Sequence, residues 1–337
     1  EGDREELFAP EAARRRLRGL QEAGAEPALE VSLTTLAALV GAPASASADI
    51  VSLVCVQVSR WAEGRGCWGT AMAFAQAAAL AMPLDPEPAL FAGTLALRWR
   101  SSARAETWLR RAIGLGRRAK DWATYAQAYV EMGRLYSRRG QPVMADRFFE
   151  KGWRAARRHG LIGPRGEALH GRLLLALQAG ALEAAGEFAR GAVRAYGKSF
   201  PRPPELMHDV AYLWVREGKY SRAIPTLRKL LPARLEPVER ALTWAILARA
   251  AAGDGRRELY EEAWLEALAI IRQRPADGEK HLPALVEMAH ASALFRDWSH
   301  AKQAVQLAMS LATPQTNRAL AAQLQQLADE NRRRRGG

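Results

Sequence analysis

The chain has 337 residues, 49% apolar and 25% charged, with a net charge of +13 and a pI near 10.3. That length allows one large or two ordinary domains, and no uncharged apolar stretch reaches the ~18 residues of a membrane span. Two cysteines, Cys55 and Cys67, exclude a disulfide framework and sit in no metal-type cluster. A reducing, cytoplasmic setting is expected. Ala, Leu, Arg, Glu and Gln dominate, the strong helix formers, so an all-α protein is the first expectation. The charge points to acidic partners: nucleic acid, an anionic surface or an acidic peptide. Only seven of the 49 basic residues are Lys. With abundant Ala and Gly, that Arg excess also fits GC-rich coding, which would explain the charge without any function.

In chain order, the opening Glu1-Gly2-Asp3-Arg4 is no signal peptide, and the lack of an initiator Met leaves room for an upstream domain. Residues 10–40 predict two helices, begun at Pro10 and broken between Gly24 and Pro27, as a degenerate hairpin or cap. A small-residue linker covers Gly41 to Asp49. Gly66, Ala71, Ala78 and Pro83 then begin a recurring pattern. Gly93, Ala105, Leu109 and Ala112 form the next unit. The clearest unit, between Gln127 and Trp153, reads Tyr129, Met132, Gly133, Tyr136, Gly140, Ala145, Phe149 and Gly152. Gly180, Ala185 and Ala192 form a weaker one, with Arg172 where Leu is expected. After a second long connection at Pro201, Pro203 and Pro204 come Ala211, Trp214, Gly218, Ala223 and Leu227. The next set is Trp244, Leu247, Ala248, Ala251, Gly255, Tyr260, Trp264 and Ala267. Met288, Ala289, Ala301, Val305 and Ala308 complete the series. One polar helix is predicted from Pro314 to about Arg334, ahead of Gly336 and Gly337. A basic tail of this kind reads first as solvated. Its Arg-Gly-Gly end resembles a ubiquitin-like tail, but no β-grasp pattern precedes it.

These spacings resemble the tetratricopeptide repeat (TPR) family, of bacterial type with divergent repeats of about 34–41 residues. Small residues let the two helices of a hairpin cross closely, and large residues three and four apart fill one face. The key small position falls at Ala71, Ala105, Ala145, Ala185, Ala223, Tyr260 and Ala301, in steps of 34, 40, 40, 38, 37 and 41. Five steps exceed the family unit, so helices or connections are expected to be extended. Tyr260 breaks the small-residue rule, and its hairpin is expected to be splayed. The resemblance implies a right-handed superhelical solenoid of about seven to eight antiparallel hairpins with a C-terminal capping helix. The divisions read as 1–49 (cap and linker), 50–312 (solenoid) and 313–337 (polar helix and Arg-rich tail). Aromatics ahead of the key position, Trp68, Tyr220 and Trp298, are expected to pack between hairpins; the alternative is an exposed row that grips a partner.

In the family the first helices line a concave groove. Carrying that register over places Arg60, Arg98, Arg134, Arg138, His170, His208, Tyr212, Arg216, Arg249 and His290 there, with Glu63, Glu87, Glu167 and Glu205 as the acids. Arg pairs in two-point fashion with carboxylate or phosphate, so the resemblance implies a scaffold that takes acidic protein or peptide segments. The Lys/Asn carboxylate clamp of chaperone-binding members is absent. The competing reading is that these arginines pair with neighbouring Glu. Reversing Arg134 and Arg138 to Glu is expected to abolish capture without changing the melting temperature. His170, His208 and His290 come from different repeats without Cys or acidic companions at ligand spacing, which argues against a metal site. Gly64-Arg-Gly-Cys-Trp-Gly69 matches a dinucleotide loop but lacks the βαβ setting, and Ser299-x-x-Lys302 lacks its companion motifs. No nucleophile–base pair is evident, so no enzyme activity, cofactor or metal is expected. Two alternatives remain: the sensing part of a bacterial transcription regulator, and a nucleic-acid-binding helical repeat.

Overall fold

A computed structural model describes residues 14–16, 18, 26–42, 46–197, 202–232 and 235–313. Among these residues there are helices and no strands. A short 3-10 turn at Pro27–Leu29 leads into α1 (Glu30–Gly41). Seven hairpins follow: α2 (Ala48–Gly64) with α3 (Trp68–Ala81), α4 (Pro86–Arg98) with α5 (Ser102–Ala119), α6 (Trp122–Arg138) with α7 (Pro142–Arg158), and α8 (Ile162–Gln178) with α9 (Leu182–Tyr196). The last three are α10 (Pro204–Arg216) with α11 (Tyr220–Leu230), α12 (Pro237–Gly253) with α13 (Arg257–Gln273), and α14 (Leu282–Leu294) with α15 (Trp298–Leu311). The expected first N-terminal helix, the linker centre and the C-terminal capping helix lie wholly or largely outside the described residues.

The seven hairpins share one turn. The residue two places before each second helix is left-handed: Gly66, Gly140, Gly180, Gly218 and Gly255 in five turns, Arg100 and Arg296 in the other two. In every turn the next amide reaches back five residues to a carbonyl of the first helix, as in Cys67 to Ala62, Ser101 to Ala96 and Asp297 to Ser292, at 2.7–3.0 Å. This is the Schellman closure, which satisfies helix-end carbonyls and favours Gly at the left-handed site. The turn at Gly64–Gly69 is one of these, not a phosphate loop.

The key small position is the fourth residue of each second helix, and all seven residues there are buried. In the third hairpin, a Cβ on Gly133 would lie 2.5 Å from the Phe149 ring, and one on Gly171 would lie 2.4 Å from the same ring. Phe149 is thus clasped by two glycines, and its second-helix backbone approaches closely for that reason. The 34-residue step belongs to the 14-residue α3 and 13-residue α4. The 40-residue steps come from helices of 17–18 residues, α5 to α8. A 3-10 segment, Pro275–His281, lengthens the last step.

The splayed sixth hairpin is not found. Tyr260 is fully buried, and α12 packs along α13 as the other hairpins do. The Tyr260 ring is accommodated by the following hairpin. Its hydroxyl lies 3.0 Å from Ser292 Oγ and 3.3 Å from Asp297 Oδ2, and its ring lies 4.9 Å from Phe295. The close approach to α12 is provided by that helix's own small residues, Ala245, Ala248, Ala251 and Ala252, all buried.

The chain divides into two compact units. Residues up to Leu175 with Arg190–Gly197 form the first, and Ala176–Ala189 with the residues from Lys198 onward form the second. The first is centred on Leu95, Trp108, Leu109, Met132, Leu135 and Phe149, with a smaller cluster of Leu29, Cys55, Val58 and Phe74 at its N-terminal side. The second is centred on Leu227, Ile246, Leu247, Tyr260, Trp264 and Met288.

Candidate functional site

The ten candidate residues sit on first helices in both units. In the first unit, Arg60, Arg98 and Arg138 come from α2, α4 and α6 and are exposed. Arg98 and Arg138 occupy last turns, where the helix carbonyls favour a cation. Each guanidinium is oriented by a neighbour. Arg60 lies 5.7 Å over the Phe91 ring, Arg98 meets Glu63 at 3.1 Å, and Arg138 Nη1 donates to the Leu97 carbonyl at 2.6 Å.

Arg134 differs. It pairs with Glu131 on its own helix and with Glu167 of α8 at 2.8 Å. Gln127 Nε2 donates to both carboxylates, at 3.1 and 2.9 Å. Burial opposes the charge on Arg134, yet Glu131 and Glu167 outweigh it and raise its pKa. A Glu at 134 would add a third carboxylate to this cluster, so reversing Arg134 should lower the melting temperature rather than leave it unchanged. His170 lies on α8 and is half-buried.

The second unit repeats the theme. Arg249 of α12 donates to Glu287 of α14 at 2.8 Å, with their side chains 18% and 7% exposed. The Tyr212 hydroxyl donates to the other Glu287 oxygen at 3.1 Å and accepts from Arg216 at 3.3 Å. Burial, then the Glu287 charge, raises the Tyr212 pKa. Burial again works against Arg249, and Glu287 more than compensates, raising its pKa. Arg216 also lies 5.8 Å over the Tyr212 ring. His290 is half-buried on α14.

Glu131 and Glu287 were missed in the sequence because an inward position between apolar residues reads as core. They carry a signal. Val130-Glu131-Met132-Gly133 and Val286-Glu287-Met288-Ala289 are near-copies in the same register, which marks a repeated buried carboxylate.

His208 lies one turn before Tyr212 on α10. Its Nδ1 lies 3.1 Å from Asp209 Oδ1, and it borders a cavity of about 240 Å³ with Pro204, Leu230, Leu235, Leu242 and Glu239. Among the described residues no three His, Cys, Asp or Glu side chains gather as metal ligands. Trp68 packs on the first unit's core and Tyr220 on the second's. Tyr220 presses on Gly253, where a Cβ would lie 2.3 Å from its ring. Trp298 is 40% exposed.

No protein-family model and no curated protein matches the chain. Solved structures do resemble it. Pseudomonas aeruginosa pilF superposes with a TM-score of 0.53 at 15% identity, over 70% of this chain and 97% of that one. BtubC from P. vanneervenii gives 0.51 at 17% identity, over 62% and 89%. A tetratricopeptide repeat protein from Parabacteroides merdae gives 0.49 at 15%, over 82% and 99%. Among the described residues no helix is long and apolar enough to cross a membrane. With seven hairpins among the described residues, their common turn and the small-residue register, the chain has a tetratricopeptide-like fold, an all-α solenoid.

Proposed function

We propose that the chain is a non-catalytic protein-interaction scaffold whose first-helix face in the first unit captures an acidic peptide segment. The observation that carries this reading is the placement of Arg60, Arg98 and Arg138 on successive first helices, exposed and each oriented by one neighbour. A guanidinium has five N–H donors, so each retains donors for a ligand carboxylate. Arg134 and Arg249 have another role: each is neutralised by a buried glutamate, Glu131 and Glu287, and they tie neighbouring hairpins together through Glu167 and Glu287. Tyr212 and Arg216 offer the matching polar edge in the second unit.

The test is a fluorescence-anisotropy titration of a labelled Glu/Ser dodecapeptide and its Gln/Ser counterpart. The Glu peptide alone should bind, and Arg98→Gln with Arg138→Gln should weaken it. Equal binding of both peptides would refute the carboxylate reading.

A further inference from the structure

The arginine excess is not spread evenly. It concentrates on α5 and α7, second helices of hairpins in the first unit, which the family register places away from the groove. Along α7, Arg147, Lys151, Arg154 and Arg158 recur at intervals of four, three and four residues, which puts them on one helix face, and all four are exposed. Arg117 and Arg118 close α5, also exposed. The helix in the same place of the sixth hairpin, α13, carries Glu258, Glu261, Glu262 and Glu266 instead. A coding bias alone would not make one second helix basic and its counterpart acidic.

The two basic helices converge on an aromatic pair. Lys151 Nζ lies 5.8 Å over the Tyr129 ring and 5.4 Å over Phe148. The end of α5 reaches the same place, since a Cβ on Gly116 would lie 3.1 Å from the Tyr125 amide nitrogen, and burial with Tyr125 holds the Tyr129 phenol at about 12 against the opposing charge of Arg117. Tyr125 and Tyr129 meet edge to face at 5.0 Å and are half-buried. Glu150 answers Arg154, but no ion pair with a carboxylate engages Arg117, Arg118, Lys151 or Arg158 among the described residues.

We propose that this α5–α7 face binds the phosphodiester backbone of a nucleic acid, independently of the first-helix face. Guanidinium forks suit phosphate oxygens, and half-exposed aromatic rings among cations suit an unpaired strand. An anionic bilayer is the weaker fit. Ile50, Leu53 and Leu84 are exposed elsewhere, and on α5 and α7 the one large apolar side chain exposed among the described residues is Val143 at the start of α7, too little for insertion.

The experiment titrates fluorescein-labelled 20-mers of single-stranded RNA, single-stranded DNA and duplex DNA against the full chain at three salt concentrations, following anisotropy. Binding should weaken linearly on a log–log salt plot. Each neutralised strand phosphate contributes about −0.7 to that slope and each duplex phosphate about −0.9. Replacing Arg117, Arg118, Lys151 and Arg158 by Gln should flatten the single-strand slope by roughly 3 and reduce affinity at least about tenfold. The charge-retaining variant with Lys at 117, 118 and 158 should keep the slope, which separates lost charge from lost structure. Binding of the Glu/Ser dodecapeptide should survive the Gln variant. Tighter binding of one nucleic acid identifies the source of the backbone. No binding at low salt, an unchanged slope in the Gln variant, or binding only to phosphatidylserine vesicles in cosedimentation would overturn the proposal.

Discussion

Replacing Arg249 by Met removes one half of a charge pair shielded from water on both sides. The guanidinium–carboxylate distance is 2.8 Å, and Glu287 is 7% exposed. In the variant the Glu287 carboxylate keeps only the Tyr212 hydroxyl, at 3.1 Å. Breaking a buried pair costs about 3–5 kcal/mol because the remaining charge stays desolvated. The 18% exposure of Arg249 and the surviving Tyr212 bond place this case near the lower end, about 3 kcal/mol. For a cooperative unit of ~150–250 residues, that corresponds to a fall of roughly 6–12 °C in Tm. Circular dichroism melting of wild type, Arg249→Met, Glu287→Leu and the double variant forms the cycle. Each single variant should melt well below wild type, and the double variant should recover most of the loss, since an apolar replacement of both partners is often neutral. A fall of under about 2 °C in Arg249→Met, or a double variant as unstable as the singles, would refute the reasoning.

Three further outcomes follow from named contacts. Glu106 accepts from Arg110, Arg139 and Tyr136. Burial opposes its charge, but those donors prevail and hold its carboxyl at about 2. A depressed carboxyl contributes stability above its unfolded pKa of ~4.3 and loses it as pH falls toward about 2. Glu106→Gln should therefore melt lower than wild type at pH 7, by about 1 kcal/mol after solvent screening, and the gap should close between pH ~4.5 and ~2. Gly133→Ala should cost about 1–3 kcal/mol in urea unfolding, because its Cβ meets the trapped Phe149 ring. Arg100→Gly and Arg296→Gly relieve left-handed backbone at φ 60° and 58°. Each should raise stability by about 0.5–1 kcal/mol in the same assay, the strain relief exceeding the entropy cost of Gly.

Most of the fold is legible in the sequence because each hairpin needs a small residue at one crossing point. That requirement leaves a readable Ala in six of the seven hairpins, with Tyr260 in the other, and each falls at the same place in its helix. The turns were partly legible: glycine marks five of them, while Arg100 and Arg296 take the same backbone without advertising it. Tyr260 misled because the small-residue rule concerns a pair of helices. With Ala at 245, 248, 251 and 252 on the partner, one large residue fits and turns to Ser292 and Asp297.

The candidate positions can be picked out in the sequence, but not how their charges pair. Family register found Arg134 and Arg249, but their partners Glu131 and Glu287 lie at positions that read as apolar. Only the near-copies around Val130 and Val286 signal them. Counting arginines therefore overstated the charge of the first-helix face, while Arg117, Arg118, Lys151 and Arg158, which meet no carboxylate among the described residues, lie on second helices outside that register.

The scaffold reading stands or falls on one titration. Exposed ion pairs contribute up to about 1 kcal/mol each, so removing two should weaken binding of the Glu/Ser dodecapeptide by about 5- to 30-fold. Arg98→Gln with Arg138→Gln should show that loss by anisotropy with helicity retained and only a small fall in Tm from the lost Glu63 and Leu97 contacts, while binding of single-stranded RNA by the α5–α7 face persists. Unchanged peptide affinity in the double variant would contradict the account, since the exposed first-helix arginines would then hold nothing.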